Sequence, residues 1–258
     1  MSSDKNNFIK LRACISIVSH NQINIINNLL SDIVKQNCIE EMHIILTLNV
    51  KDEVFDPKAY PSLSISVIRN DIPKGFSFNH NQAFKYNSSN VFCILNPDIR
   101  LSHPSSLIHL IEEIEGGNSI VVPRIVNNNG DREDSIRMNL TPWSAVQRVV
   151  FNRRAPGIIS KNRKGTQFYW VAGMFLMCKS KVYAELGGFN ERFFMYCEDY
   201  DLSARAYLSG FTIKVVEDVT VIHDARRSSH RSITHLRWHL SSLIHVWTSK
   251  VFWRIIFK

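Results

Sequence analysis

Three groups of acidic or imidazole residues stand where predicted strands end or a predicted helix begins. Asp98 follows the uncharged run VFCIL (residues 91–95), the sequence EDYD (198–201) opens a helix, and His223 closes the last strand. Open α/β sheets bind ligands at the carboxyl ends of their strands, where carboxylates and imidazoles can bind metals or accept protons. Each group alone is more simply a turn, a helix cap or a structural hydrogen bond. Their occurrence together in one predicted sheet favours a functional site.

The elements that must position these residues alternate between strand and helix. Apolar runs predict strands over residues 12–19, 43–48, 63–70, 91–95, 119–125, 170–177, 211–216 and 219–223. Apolar residues at helical spacing and glycine stop signals predict helices over residues 24–36, 105–115, 181–188 and 201–210, and a further helix is predicted over 142–151. This alternation predicts an α/β fold with a mostly parallel central sheet flanked by helices.

Composition is that of an ordinary globular protein. The chain has 258 residues, of which 45% are hydrophobic and 21% charged, and this argues against disorder. Five scattered cysteines without CxxC or metal-site spacing predict reduced thiols in a cytosolic protein. The N-terminal segment lacks the apolar core of a signal peptide, and no run reaches the ~20 apolar residues of a membrane-spanning helix.

The net charge of +8 is concentrated near the C-terminus, where no acidic residue follows Asp224. Such asymmetry predicts a polyanionic partner, either nucleic acid or an anionic membrane surface. The apolar residues Leu236, Leu240, Leu243 and Trp247 recur at helical spacing and predict one apolar stripe on a basic helix. That stripe would either pack on the preceding domain or lie in the membrane interface.

The order of the motifs resembles the inverting glycosyltransferases of family 2, which have the GT-A fold. The strongest stretch is VAGMFLMCKSKVYAELGGFNERFFMYCEDYDLSARAYLSGFTIKVVEDVTVIH (171–223), and GFSFNHNQAF (75–84) and LNPDIRL (95–101) supply the N-terminal half. Within the family the chain looks most like bacterial rhamnosyltransferases of O-antigen and cell-wall assembly, and RWHL (237–240) shares this likeness.

The resemblance implies a division of the chain. A GT-A catalytic domain would span residues 1–224, with a donor-binding half over about 12–125 and an acceptor and catalytic half over about 126–224. Residues 225–258 would form a basic amphipathic helical extension.

The resemblance also implies a metal site. Asn96-Pro97-Asp98 occupies the position of the family's Asp-x-Asp motif, with Asn96 in place of the first acid. Asp98 and His223 would be the ligands of a divalent metal, Mg²⁺ or Mn²⁺, which neutralises the donor diphosphate as the sugar leaves.

The general base that the resemblance implies is Asp199, which would take the proton of the acceptor hydroxyl during the inverting displacement. Glu198 and Asp201 would orient this base or hold acceptor hydroxyls. On the residues alone, all three could simply cap the helix.

The donor side follows from the resemblance as well. The implied donor-binding residues are Ser19, His20, Asn21, Asn49, Asn70, Gly75, Phe76, Asn79, Asn81, Asn96 and Arg137. Turn chemistry is the alternative for the asparagines, and an exposed surface position is the alternative for Arg137. The chain departs from the family at Leu48, where relatives usually have an acidic residue before the asparagine.

The function expected from the resemblance is transfer of L-rhamnose from dTDP-rhamnose to a polyprenyl-diphosphate-linked saccharide, in O-antigen or cell-surface polysaccharide synthesis. The protein would be cytoplasmic and peripheral on the inner face of the cytoplasmic membrane. Other donors, such as UDP-galactofuranose or a UDP-hexose, are an alternative within this class.

Two alternatives belong to other classes. A basic nucleic-acid-binding protein would explain the charge, but we find no helix-turn-helix, zinc-finger or RNP motif, so nucleic acid is not the expected partner. A non-catalytic scaffold is favoured only by Leu48.

Overall fold

A computed structural model describes residues 12–37, 39–143, 161–162, 165–166, 168–224 and 233–258. Most of the helix predicted over 142–151 lies outside these residues, as do Cys38 and the cationic residues Arg226, Arg227 and Arg231.

The strands agree closely with the apolar runs of the sequence. In chain order they are β1 (Ala13–Ser19), β2 (Met42–Leu48), β3 (Ser64–Arg69), β4 (Val91–Leu95), β5 (Ile99–Arg100), β6 (Ile120–Val126), β7 (Ile136–Met138), β8 (Lys161–Asn162), β9 (Gly165–Thr166), β10 (Tyr169–Val171), β11 (Phe175–Lys179) and β12 (Ile213–His223). Eight of them form one sheet in the order β3-β2-β1-β4-β11-β6-β12-β5, while β7 pairs with β10 and β8 with β9.

The main sheet is mostly parallel, as predicted. Strands β3, β2, β1 and β4 run parallel to one another, and β12 runs parallel to β6. Strand β11 is antiparallel to both β4 and β6, and β5 is antiparallel to β12. Because β1, β2 and β4 are parallel, the residues that follow them emerge at one edge of the sheet, where the predicted site residues lie.

Helices cover both faces of this sheet. They are α1 (Ile23–Ile33), α2 (Phe76–Phe84), α3 (Ser106–Glu115), α4 (Ser180–Glu185), α5 (Glu198–Leu208), α6 (Ile233–Thr248) and α7 (Lys250–Ile256). Ile15 of β1 belongs to a hydrophobic cluster with α1 and α3, whereas its neighbour Cys14 belongs to another with α2, α4 and α5. Successive residues of a strand point to opposite faces, so both faces of β1 are buried.

The C-terminal helices are packed on the rest of the fold. Val246 of α6 and Phe252 of α7 share a third hydrophobic cluster with Tyr200 and Ala204 of α5. The Lys258 ammonium also lies 4.3 Å from the ring centre of Tyr207. Packing on the preceding domain, one of the two alternatives for the tail, is therefore present.

Only half of the predicted apolar stripe of the tail packs on the domain, because Leu243 and Trp247 contact the third cluster whereas the two earlier leucines do not. Leu243 is buried, but Leu236 and Leu240 are 59% and 52% exposed. The buried face of α6 instead combines Leu243 with Ser242 and Val246. Helical spacing finds residues that share a face but cannot tell which of two neighbouring faces packs inward. In the described part of the chain, no helix is long and apolar enough to cross a membrane.

We expect Phe252→Ala to lower the free energy of unfolding by about 3–5 kcal/mol, because it removes a buried ring from the cluster that joins the tail to α5. Urea unfolding followed by circular dichroism measures this. The matched control is Trp253→Ala at the adjacent position, which is 48% exposed and should change stability much less. Equal, small effects of both variants would contradict the packing of the tail.

Candidate active site

A short strand brings Asp98 and His223 together. The turn Asn96-Pro97 follows β4, and β5 then pairs antiparallel with the end of β12, so that Ile99 lies opposite His223. The backbone N–H of Asp224 donates to the Asp98 carbonyl at 2.8 Å. As a result, His223 Nε2 lies 3.2 Å from Asp98 Oδ2. The two predicted metal ligands are thus neighbours, although they are 125 positions apart in the chain.

Glu133 adds a third side chain that sequence analysis missed. Its Oε2 lies 2.7 Å from the second ring nitrogen of His223, Nδ1. A carboxylate on one ring nitrogen fixes the tautomer and orientation of a histidine whose other nitrogen binds a metal. The only sequence signal is the acidic run DRED (131–134), and it does not indicate which of its three acids reaches His223. We call Asp98, Glu133 and His223 the cation corner.

The imidazole of His223 is strongly influenced by these two carboxylates. Burial by itself lowers the pKa of His223. The hydrogen bonds to Asp98 and Glu133 and their negative charges outweigh this effect and raise the pKa of His223 to about 9. The two carboxylates therefore favour a positive charge at His223. A metal at Nε2 would take the place of that proton.

The cation corner fits a divalent metal held by few protein groups. Among the described residues, no cluster of three or more His, Cys, Asp or Glu side chains could hold a metal ion by itself. Asp98 Oδ1 is nevertheless buried without a hydrogen-bond partner in the described structure, which is unfavourable for a carboxylate unless a ligand completes the site. A site of one carboxylate and one imidazole leaves positions for phosphate oxygens and water.

The second corner is the carboxylate of Asp199 in the first turn of α5. Its Oδ2 accepts the backbone N–H of Gly173 at 3.0 Å, and its Oδ1 accepts that of Tyr200 at 2.8 Å. The side chain is half-buried. Burial raises the pKa of Asp199, whereas Arg137 and the two N–H groups oppose this rise. The carboxylate is therefore fixed in orientation.

Glu198 differs from its neighbour Asp199. It is buried, and its Oε2 has no hydrogen-bond partner within the described part of the protein. Burial, followed by the charge of Asp199, raises the pKa of Glu198 well above its usual range. Because the charge of Arg137 and two N–H donors favour the ionised form of Asp199, ionisation is more favourable at Asp199 than at Glu198.

Asp201 is occupied with a structural contact. It is buried and forms an ion pair with Arg205, with 2.7 Å between Asp201 Oδ2 and Arg205 Nη2. The same guanidinium donates to the carbonyls of Leu186 and Gly188. Asp201 therefore helps to hold the turn after α4 through Arg205, and its role beside the base stays a prediction.

The two corners are joined through β11 and the residues before it. Gly173 donates to Asp199, and the carbonyl of the next residue, Met174, accepts the N–H of Asn96 at 2.8 Å. Asn96 is two positions before Asp98. Two consecutive residues thus make the hydrogen bonds that lead to the two corners.

Arg137 also lies between the corners. Its Nε donates to the Asp134 carbonyl at 2.9 Å, and its guanidinium lies 4.7 Å from the ring centre of Trp170. Burial lowers the pKa of Arg137, while the nearby charges of Asp199 and Glu133 counteract this. Arg137 is thus a packed residue of the site and not an exposed surface arginine.

On the donor side, Ser19 at the end of β1 is buried beside Glu53, a residue that sequence analysis missed. The Ser19 hydroxyl donates to Glu53 Oε1, which also accepts the N–H of Gln22 at 2.9 Å. The second oxygen, Oε2, is buried and lacks a hydrogen-bond partner among the described residues. A carboxylate is therefore present here even though Leu48 replaces the family acid. His20 and Asn21 are exposed next to it.

Three predicted donor-binding asparagines form one buried network. Asn70 Nδ2 donates to Asn49 Oδ1 at 2.9 Å and to Asn79 Oδ1 at 2.8 Å. Asn49 also bonds the backbone N–H and carbonyl of Lys74, and Asn79 bonds the same carbonyl. These amides shape the loop before α2, so that any contribution they make to donor binding passes through this loop.

Gly75 ends that loop and touches the acceptor half. A Cβ at Gly75 would lie 2.4 Å from the Phe194 carbonyl oxygen, which accepts the N–H of Phe76 at 2.8 Å. Glycine therefore permits a close approach of backbone to backbone at this position.

Asn81 faces away from the donor loop. Its Nδ2 donates to the Phe189 carbonyl and its Oδ1 accepts the Tyr183 hydroxyl and the Phe189 N–H. Both ends of the amide thus support the segment between α4 and Phe189, and the donor role of Asn81 stays a prediction.

The chain is similar to known glycosyltransferases. The glycosyl transferase family 2 sequence profile matches residues 14–187. Rhamnosyltransferase WbbL of Escherichia coli (strain K12) is 35% identical over 74 residues, 28% of each chain. The N-acetylglucosaminyl-diphospho-decaprenol L-rhamnosyltransferase of Mycobacterium tuberculosis (strain CDC 1551 / Oshkosh) is 35% identical over 74 residues, 28% of this chain and 24% of that protein. The chain therefore aligns with about a quarter of the length of these relatives.

A solved structure shows the same fold. The mannosyltransferase PcManGT from Pyrobaculum calidifontis, in complex with GDP-Man and Mn²⁺, superposes with a TM-score of 0.59 at 14% identity, over 86% of this chain and 59% of that one. The fold is that of the GT-A glycosyltransferases, as the motifs predicted.

We expect Glu133→Gln to weaken Mn²⁺ binding in the presence of UDP about 10–100-fold, because His223 loses the carboxylate that orients its ring. Electron paramagnetic resonance of free Mn²⁺ measures this without any turnover. The control is Glu217→Gln, which removes a carboxylate paired with Arg132 on the surface. Unchanged Mn²⁺ affinity in Glu133→Gln would show that Glu133 does not support the cation corner.

Proposed function

The chain belongs to glycosyl transferase family 2, and on that premise we propose that it is a metal-dependent, inverting glycosyltransferase. One observation carries the proposal: the cation corner and the Asp199 carboxylate lie at the same edge of the sheet, joined through Gly173 and Met174. A sugar held between them by its diphosphate would present one face to the carboxylate and its leaving group to the cation.

The cation corner serves the departure of the diphosphate. Asp98 and His223 would hold the divalent metal, with Glu133 fixing the ring of His223. The metal, when bound, neutralises the negative charge that grows on the diphosphate as the sugar leaves. The nearby Arg137 guanidinium adds positive charge between this corner and the base.

Asp199 serves the attack by the acceptor. As the ionised member of the carboxylate pair, it would accept the proton of the acceptor hydroxyl at a carboxylate oxygen while the hydroxyl oxygen attacks the anomeric carbon. The two backbone N–H groups fix the orientation of the carboxylate, and burial raises the pKa of Asp199. Glu198, protonated beside it, would avoid a second negative charge at the same place.

For the donor we propose dTDP-rhamnose, because the similar curated proteins are rhamnosyltransferases. Glu53 is placed at the strand end where the family binds the nucleotide, and its free oxygen could accept the imide N–H of thymine. Uracil has the same N–H group, so UDP-linked donors, including UDP-galactofuranose and UDP-hexoses, are the alternative.

For the acceptor we propose a saccharide linked to a polyprenyl diphosphate, as in O-antigen or other cell-surface polysaccharide synthesis. The name of the mycobacterial relative includes a diphospho-decaprenol acceptor. The protein would then work as a peripheral protein at the cytoplasmic face of the membrane.

The outer face of α6 supports this location. Ile233, Leu236, Leu240 and Ile244 are each more than half exposed, and Arg237 is exposed beside them. We call these four apolar residues the outer stripe. A helix with apolar and basic groups on its solvent side is suited to the interface of an anionic membrane.

We expect Asp199→Asn to reduce sugar transfer about 10²–10⁴-fold while UDP or dTDP binding is retained, because only proton acceptance is lost. The assay screens dTDP-rhamnose, UDP-galactofuranose, UDP-galactose and UDP-glucose for transfer and for hydrolysis. Asp218→Asn, at an exposed position of β12, is the control. Full transfer by Asp199→Asn would exclude Asp199 as the base, and a wild-type protein that uses no donor would overturn the proposed function.

We expect the double change Leu236→Glu and Leu240→Glu to weaken binding to phosphatidylglycerol vesicles about tenfold or more, because two apolar side chains leave the interface. Sedimentation with vesicles measures the bound fraction. Val54→Glu, at a position 79% exposed on another part of the molecule, is the control and should bind as the wild type does. Undiminished binding by the double variant would remove the outer stripe from the membrane contact.

A further inference from the structure

A group of rings from two distant parts of the chain lies open to solvent beside α5. Phe194 and Trp238 have ring centres 4.9 Å apart with planes 38° apart, and the His235 ring meets Trp238 edge-on at 4.9 Å. Tyr196 lies 5.3 Å from His239, and its hydroxyl is 2.7 Å from His235 Nδ1. We call these five residues the aromatic shelf.

The rings of the aromatic shelf pack on one another and are still partly exposed to solvent. Phe194 is 41% exposed and His239 is exposed, while Tyr196, His235 and Trp238 are half-buried. Buried side chains of α6 and α7 join the tail to α5, and Tyr196 of the shelf packs against that cluster, whereas Phe194 and Trp238 do not belong to it. Exposed aromatic side chains that are fixed by each other in this way are characteristic of binding surfaces.

The shelf is continuous with the proposed base. The Phe194 carbonyl accepts the N–H of Phe76, and a Cβ at Gly173 would lie 3.6 Å from the Phe76 ring and 3.5 Å from Asp199 Cβ. Asp199, Gly173, Phe76 and Phe194 are therefore successive neighbours. Tyr196 of the shelf also lies only three residues before Asp199 along the chain.

We propose that the aromatic shelf is the binding site for the sugar ring of the acceptor. This inference rests on the proposed function and adds the acceptor subsite and the residues that form it. One face of a pyranose presents C–H groups, which pack well on an aromatic ring, while its hydroxyls need hydrogen-bond partners. Phe194 and Trp238 provide the rings, and the imidazoles and the Tyr196 hydroxyl provide donors and acceptors.

The placement on α6 fits a lipid-linked acceptor. Trp238 and His235 face Phe194 and Tyr196, whereas the outer stripe lies on another side of the same helix. An amphipathic acceptor could place its sugar on the shelf next to Asp199 and its lipid toward the membrane bound by the outer stripe. One helix would then orient both ends of the acceptor.

Saturation-transfer NMR tests the shelf without requiring turnover. The probes are the methyl glycosides of L-rhamnose, N-acetylglucosamine, galactose and glucose, each added with Mg²⁺ and UDP or dTDP. We expect at least one glycoside to bind the wild type through its ring C–H groups. Trp238→Ala should weaken that binding about tenfold, the order of one stacking contact, and Trp238→Phe should retain most of it.

The matched control is Trp253→Ala in α7, because Trp253 is exposed and forms a ring pair with Phe257 in the same tail. This variant should bind the glycosides as the wild type does. Nucleotide binding, measured in every variant by calorimetry, shows whether the fold and the donor site are intact.

The outcomes separate the two proposals. Loss of glycoside binding in Trp238→Ala with nucleotide binding retained supports the shelf. Glycoside binding that is absent from the wild type, or unchanged in Trp238→Ala, overturns the shelf and leaves the proposed function standing. Loss of vesicle binding instead of glycoside binding would assign these rings to lipid and also overturn it. Failure of the wild type to bind UDP or dTDP would overturn the proposed function itself.

Discussion

Two hydrogen bonds from consecutive residues keep the two halves of the site together. Gly173 donates its N–H to Asp199, and Met174 accepts the N–H of Asn96 through its carbonyl. Strand β11 follows directly and is antiparallel to β4, with Phe175 opposite Leu95. A shift of one residue in this register would turn every side chain of β11 to the other face. The position of the base relative to the cation corner is therefore fixed by the central sheet.

That arrangement places several ionisable groups of opposite charge in a partly buried space. His223 contacts both Asp98 and Glu133, and Arg137 forms an ion pair with Asp134 while its charge also favours the ionised form of Asp199. Burial and the negative charge of Asp199 both disfavour ionisation of Glu198 and raise its pKa. Because unpaired buried charge is costly, loss of one cationic partner would shift the protonation of its carboxylate as well as its position.

Sequence reasoning succeeded where a local pattern determines the structure. The uncharged run before Asp98 became β4, and the alternation of elements gave the mostly parallel sheet. The pairing of Asp98 with His223 was expected from motif order and is present as a direct contact.

The features of the site that the sequence did not indicate all depend on tertiary contacts. Glu133 and Glu53 reach the site from loops whose sequences contain other acids nearby, and the spacing of those acids does not distinguish them. Asn81, which the resemblance places on the donor side, also bonds the backbone of Phe189 through both ends of its amide, a contact that the sequence does not indicate. An amide in a loop can serve a ligand or the backbone equally well, and the fold determines which.

The tail shows how a peripheral element can become part of a site. Tyr196 and Cys197 have φ values of 73° and 65°, a left-handed conformation that costs a non-glycine residue on the order of 1–3 kcal/mol and that persists only when its surroundings hold it. Helix α6 supplies that support, because Ser242 donates to the Met195 carbonyl and His235 bonds the Tyr196 hydroxyl.

The two left-handed residues directly precede α5, in whose first turn Asp199 accepts the N–H of Gly173. The tail therefore affects the base through the backbone even where it touches no reacting group. If an acceptor sugar settles on the aromatic shelf, it would bind to the same residues that hold this backbone, so that acceptor binding and alignment of the base would strengthen each other.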